Sequence, residues 1–126
     1  MKVSQIMKKA YVVDENISLK EAARIMSNKK IGGLIVLKGD KISGIITERN
    51  IINNLRDLDS KVSKFMSRRV ISVSPDDEVD TAAKLMTQNK IKRLPVIDNG
   101  KLIGLVRITD VVGKSGAMDQ GNFIFN

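Results

Sequence analysis

The apolar positions of this chain follow one script twice. From Lys30 the chain reads KIGGLIVLKGDKISGIITERNII, and from Lys90 it reads KIKRLPVIDNGKLIGLVRITDVV. At an offset of 60, Ala22-Ala23 meets Ala82-Ala83, Met26 meets Met86, Lys30-Ile31 meets Lys90-Ile91, Leu34 meets Leu94, Val36 meets Val96 and Gly44 meets Gly104. Most other apolar pairs swap like for like, such as Ile25 with Leu85 and Ile46 with Val106. Upstream, VSQIM at 3–7 answers VSKFM at 62–66, with one residue inserted between. A repeat of this length is the first thing to read, because it says how often one supersecondary unit is built.

Each copy predicts the same elements. A short β-branched run comes first, Tyr11-Val12-Val13 and then Val70-Ile71-Ser72-Val73. A helix follows. Leu19, Ala22, Ala23 and Met26 recur at helical spacing in the first copy, and Val79, Ala82, Ala83 and Met86 do so in the second. Ser18 and Glu21 have the spacing of a capping box. The alanines predict a close helix-to-sheet contact, and the two methionines read as core filler. Two strands then meet at a tight turn, Lys38-Gly39-Asp40 in one copy and Asn99-Gly100 in the other, where both residues tolerate positive φ. A short helix closes each unit, from about Glu48 to Arg56 and from about Ile108 to Gly113. The fold class is α/β (α+β), built from two β-α-β-β-α repeats. One unit alone leaves an apolar sheet face uncovered, so the two are expected to pack with pseudo-two-fold symmetry. The domains are 1–59, 60–113 and a C-terminal tail, 114–126. The tail is Gly-rich and ends apolar, and Phe123-Ile124-Phe125 leaves open whether it is mobile or docked.

Composition narrows the chemistry. The 126 residues include no His and no Cys. That excludes Ser-His-Asp and Cys-His nucleophiles and the usual zinc sites. A carboxylate-bound magnesium brought in by a phosphate ligand is not excluded. No apolar run is long enough to span a bilayer, and MKVSQIMKKAYVV lacks the apolar region of a signal peptide. A soluble, cytoplasmic protein with no membrane partner is expected. The net charge is +8, which favours anionic partners. Residues 1–59 hold 11 Lys/Arg and 7 Asp/Glu, and residues 60–126 hold the same numbers, so no basic tail is set apart.

The run ISVSPDDEVDTAAKLMTQNKIKRLPVIDNGKLIGLVRITDVV closely resembles a CBS domain, and two in tandem resemble the CBS pair, or Bateman module. The resemblance covers roughly residues 1–113. It is carried by Leu94-Pro95-Val96-Ile97-Asp98, then Gly104-Leu105-Val106, then Thr109-Asp110. It implies clefts between the repeats that bind AMP, ADP, ATP or S-adenosylmethionine as a regulatory ligand, with no cofactor required. It also implies a homodimer and an unidentified regulated protein.

The resemblance further implies a ribose-and-phosphate motif, Gly-h-x-Thr/Ser-x-x-Asp, with h apolar. A carboxylate one turn into a helix can accept both ribose hydroxyls. In the second copy, Asp110 matches the ribose position. Arg107 stands at the hydroxyl position, which leaves open whether Thr109 serves or Arg107 pairs with phosphate. In the first copy, Thr47 matches the hydroxyl, Arg49 follows, and Asn50 replaces the acid. The alternative for Asn50 and Asp110 is a helix cap and nothing more. Lys92-Arg93 precede Leu94-Pro95, where the family's basic residues reach phosphate; Gly33 stands at the matching place before Leu34-Ile35. Adenine is expected against Ala10, Tyr11 and Val12 with Leu34 and Ile35 in one cleft, and against Val70, Ile71 and Ser72 with Leu94 and Pro95 in the other.

The expected function is a non-catalytic regulatory module that reports an adenosyl ligand to a partner. Two alternatives stand beside it. One is a nucleic-acid binder using the basic surface, opposed by the scarcity of aromatics for stacking, Tyr11, Phe65, Phe123 and Phe125. The other is a structural dimerisation module.

Overall fold

A computed structural model describes residues 1–112 of the chain; the tail segment 114–126, Phe123–Phe125 included, lies outside them. The elements run β1 (Val12–Asp14), α1 (Leu19–Lys29), β2 (Gly33–Lys38), β3 (Lys41–Thr47), α2 (Glu48–Ile52), α3 (Val79–Asn89), β4 (Arg93–Asp98), β5 (Lys101–Arg107) and α4 (Ile108–Val111). Short 3-10 turns occupy Val3–Gln5, Leu55–Asp57 and Val62–Lys64. Among the described residues no helix is long and apolar enough to cross a membrane.

The helices form as their apolar spacing predicts. Leu19, Ala22 and Met26 are buried along one face of α1, and Val79, Ala82 and Met86 along one face of α3. Ala22 and Ala82 are fully buried, which lets helix and sheet approach closely. Only half of the expected capping box forms. Ser18 accepts from the Glu21 N–H at 3.0 Å, but the Glu21 carboxylate turns outward to Arg24. Both helices end on a lysine in the left-handed region, Lys30 at φ 56° and Lys90 at φ 54°. The next residue, Ile31 or Ile91, donates back to the Met26 or Met86 carbonyl, closing the helix end.

β2 and β3 pair antiparallel, as do β4 and β5, with a bulge at matching places, Val36/Leu37 and Val96/Ile97. The turns use Gly39 at φ 60°, and Asn99 and Gly100 at φ 50° and 78°. The copies then diverge. β1 runs parallel to β2 through Val12↔Ile35, Val13↔Val36 and Asp14↔Leu37. The expected second-copy strand at 70–73 does not form; only the bridge Val73↔Val96 remains. The chain's two prolines explain the loss. Ile35 donates to the Tyr11 carbonyl and Glu15 to the Leu37 carbonyl. Their counterparts are Pro95 and Pro75, and proline has no N–H to donate.

The compact units are offset from the sequence repeats. Among the described residues, one unit is Tyr11–Val70 and the other joins Met1–Ala10 to residues 71–112. In the first unit Val62 donates to Ile17, Ser63 to Glu15, and Leu19 to Ser60. In the second, Val3 donates to Asp77, Ser4 to Pro75, and Val79 to Met1. Each VSxxM segment thus covers the helix start of the unit it joins. Val62 and Val3 are both fully buried there. The two cores are built from like residues, Leu19, Ala22, Met26, Leu34, Val36, Ile46 and Val62 in one, and Val79, Ala82, Met86, Leu94, Val96, Val106 and Val3 in the other.

Candidate functional site

In each unit the second hairpin strand runs straight into a short helix, and that junction gathers the polar edits. β5 ends at Arg107, and the Ile108 N–H donates to the Lys92 carbonyl at 2.7 Å. β3 ends at Thr47, and the Glu48 N–H donates to the Gly32 carbonyl at 3.1 Å. The strand register sets Arg93 opposite Arg107 and Gly33 opposite Thr47. The fold therefore brings Lys92, Arg93, Arg107 and Asp110 to one sheet end, and Gly33, Thr47 and Asn50 to the matching end of the other unit.

The glycine of each motif serves backbone approach. A Cβ on Gly44 would stand 2.7 Å from the Ser67 carbonyl oxygen and 2.6 Å from the Met66 sulfur. A Cβ on Gly104 would stand 3.1 Å from the Lys8 carbonyl oxygen and 2.9 Å from the Met7 sulfur. The bridges Ile45↔Ser67 and Lys8↔Leu105 hold those segments in place.

Asp110 is engaged from three directions by one residue. Its Oδ2 accepts from the Arg107 backbone N–H at 3.1 Å and from Nε at 3.0 Å, and its Oδ1 accepts from the terminal guanidinium nitrogen at 2.9 Å. The carboxylate side chain is 9% exposed and the arginine 39%. The hydrogen bond to Asp110 pushes the Arg107 guanidinium above its ordinary value, so it stays charged. In the first unit the same box is neutral. The Asn50 Oδ1 accepts from the Thr47 N–H at 2.8 Å and from the Thr47 hydroxyl at 2.9 Å. Both side chains thus do the work of a helix cap. The sequence reading did not anticipate the Arg107–Asp110 pair, although opposite charges at i and i+3 on a helix start were its signal.

The other expected site residues fall into three groups. Leu34 and Leu94 are core residues, 1% and 0% exposed. Ile35 and Pro95 are also buried, paired across their hairpins with Ile45 and Leu105 rather than with the core. Ala10, Tyr11, Val70 and Ile71 are half-buried; Tyr11 packs on the first core, with the Lys29 ammonium 5.5 Å from its ring centre. Val12, Ser72, Arg49, Lys92 and Thr109 are exposed. Thr109 lies on α4 and takes no part in the bonds to Asp110. A separate apolar groove of about 370 Å³ lies between α1 and α2, lined by Ala23, Met26, Ser27, Lys30, Ile31, Glu48, Ile51 and Ile52, none of them an expected ligand residue. Among the described residues no three carboxylates gather as a metal site would need.

Comparison with known proteins places this geometry. The family model for the CBS domain matches residues 3–57 and again 62–116. A 17.7 kDa protein of Acidianus ambivalens, from the bps2 3′ region, is 44% identical over 115 residues, which make up 87% of this chain and 70% of that one. The CBS domain pair of protein MJ0100, solved in complex with 5′-methylthioadenosine and S-adenosyl-L-methionine, matches with a TM-score of 0.85 and 30% identity, covering 93% of this chain and 97% of that one. A CBS domain protein from Pyrobaculum aerophilum, complexed with AMP, shares the fold at a TM-score of 0.84 with 22% identity, covering 96% and 97% of the two chains.

Proposed function

Since the chain belongs to the CBS-domain family and carries two such domains in tandem, we propose that it is a non-catalytic regulatory module that binds an adenosine-containing ligand and reports it to a partner protein. The observation that carries this reading is the strand-to-helix junction at Arg107–Asp110. It pairs a nearly buried carboxylate with Arg107 at one sheet end, where Arg93 stands opposite Arg107 in the strand register and Lys92 precedes it. A carboxylate accepts ribose hydroxyls, and guanidinium and ammonium groups take phosphate. The ligands of the 30% identical neighbour, both adenosine derivatives, support the adenosine part of the reading. The ligand is AMP, ADP, ATP or S-adenosylmethionine, and no cofactor is needed. The module acts in the cytoplasm as a homodimer. Exposed Ile52, which lines the apolar groove, supports a surface that a second copy covers. Ligand control then requires unequal affinity for two states of the assembly.

Isothermal titration calorimetry against AMP, ATP and S-adenosylmethionine tests the reading, using the wild type and Asp110→Ala at two salt concentrations. Saturable binding by the wild type, strongly weakened in Asp110→Ala, is the expected result. No binding of any of the three overturns it. Binding that the substitution leaves intact removes Asp110 from the site.

A further inference from the structure

We infer that Arg107 is a phosphate-operated latch on Asp110, so that this junction admits phosphorylated adenosines and excludes uncharged ones. The inference rests on the adenosine-binding reading above and adds the class of ligand.

A carboxylate offers about four lone-pair sites. Three hydrogen bonds from Arg107 already fall on Asp110. Asp110 therefore cannot accept two ribose hydroxyls unless Arg107 gives up at least one bond. The backbone N–H bond belongs to the start of α4 and is fixed by the helix. The two guanidinium bonds can go, because the arginine side chain is 39% exposed and has somewhere to move.

What it meets next decides the specificity. A guanidinium released from Asp110 loses the carboxylate that paired its charge at 2.9 and 3.0 Å. An uncharged ligand brings nothing to replace that counter-charge. A phosphate does, and it offers the guanidinium the two-pronged contact that the carboxylate gave. The ribose hydroxyls and the phosphate together replace what the latch held.

The first unit has no latch. Gly33 faces Thr47, and the corresponding bonds on Asn50 come from an amide N–H and a hydroxyl. The amide nitrogen of Asn50 is left to donate to a ligand. Nothing charged has to move, so this junction is indifferent to phosphate.

The test compares AMP with adenosine by calorimetry on the wild type and Arg107→Thr, which restores the hydroxyl seen at Thr47. The binding event at this junction is the one that Asp110→Ala removes. In the wild type that event favours AMP over adenosine by at least about tenfold, or about 1.4 kcal/mol. In Arg107→Thr the preference falls several-fold, chiefly because adenosine binds better. A second measurement needs no variant fold. The Arg107 Nε–H resonance of the wild type shifts when AMP is added, and adenosine at the same sub-saturating concentration leaves it in place. An unchanged AMP-to-adenosine ratio in Arg107→Thr overturns the latch and leaves adenosine binding standing. So does adenosine moving the Nε–H resonance as AMP does. If neither ligand binds either protein, the adenosine reading itself fails, and the latch with it.

Discussion

Gly44→Ala is the sharpest test of the packing that builds the two junctions. The new Cβ would lie 2.7 Å from the Ser67 carbonyl oxygen and 2.6 Å from the Met66 sulfur. Neither neighbour yields readily. Ser67 is tied to Ile45 by two backbone bonds, each 2.9 Å, and Met66 is 7% exposed, within the first core. Overpacking of this kind costs about 1–3 kcal/mol. Gly44 is not in the left-handed region, so alanine also narrows the unfolded ensemble, a gain of about 0.4–1 kcal/mol. The net expectation is a loss of about 1–2 kcal/mol. Gly104 gives an internal control. Its nearest backbone atom, the Lys8 carbonyl oxygen, is 3.1 Å away, and the 2.9 Å contact is the sulfur of the half-buried Met7. Gly104→Ala should therefore cost less, about 1 kcal/mol or under. Urea unfolding followed by far-UV circular dichroism reads both, with the slope checked to be unchanged so that midpoint shifts report stability. A Gly44→Ala midpoint at or above wild type, or a larger loss in Gly104→Ala than in Gly44→Ala, would refute the reasoning.

Three further outcomes follow from particular contacts. Val3→Ala should cost about 2 kcal/mol, because Val3 is fully buried in the core that also contains Val79 and Val106; amide exchange should speed up at those residues, and an effect centred on Leu19 and Val36 would contradict the assignment of Met1–Ala10 to the second unit. Lys90→Gly should stabilise by about 0.5–1 kcal/mol, because a non-glycine residue at φ 54° carries a Cβ penalty that glycine lacks; a lowered urea midpoint would count against it. Glu78 accepts from the Lys2 ammonium at 2.8 Å, which holds its carboxyl below the ordinary carboxylate value. Its contribution is then present above the unfolded carboxylate pKa and is lost as pH falls through the lowered folded value. Glu78→Gln should flatten the acid limb of the stability–pH curve, an effect that shrinks in high salt, and an acid limb identical to wild type would show that the pair is not felt.

The elements were legible because burial and periodicity coincide. Leu19, Ala22 and Met26 recur at helical spacing and are buried, and the turn residues at 39 and 99–100 sit at positive φ. The missing strand at 70–73 was legible too, but only with the partner strand in view. Its β-branched run has the propensity for a strand, and the obstacle lies elsewhere, in Pro75 and Pro95, which lack the donors that Glu15 and Ile35 supply. The offset of the compact units was not legible. VSQIM and VSKFM are near-identical scripts, and hydrophobic pattern alone does not say which helix start each one covers. The same limit applies at the site. Spacing placed Asp110 and Asn50 at helix starts, as observed, and whether each side chain bonds within the box or to a ligand is a competition that spacing does not decide.

That competition gives the polar edits their meaning. The two units share a scaffold closely enough that bulge, turn and helix end recur at matching residues. Against that constant frame, Gly33, Thr47 and Asn50 become Arg93, Arg107 and Asp110. Each set closes its own box internally, yet with different consequences. Breaking a neutral bond between Thr47 and Asn50 returns two groups that water or a ligand satisfies at a net cost near 1 kcal/mol. Parting Arg107 from a carboxylate that is 9% exposed strands a charge, and removing the partner of a buried charge costs about 3–5 kcal/mol, less here because the guanidinium is partly in water. A ligand that merely competes for Asp110 must overcome that cost. One that brings its own anion does not, because it re-pairs both charges at once. Under the proposed latch, arginine at 107 where the first unit has a hydroxyl residue therefore turns a shared helix cap into a selective one, on a backbone that the two units hold in common.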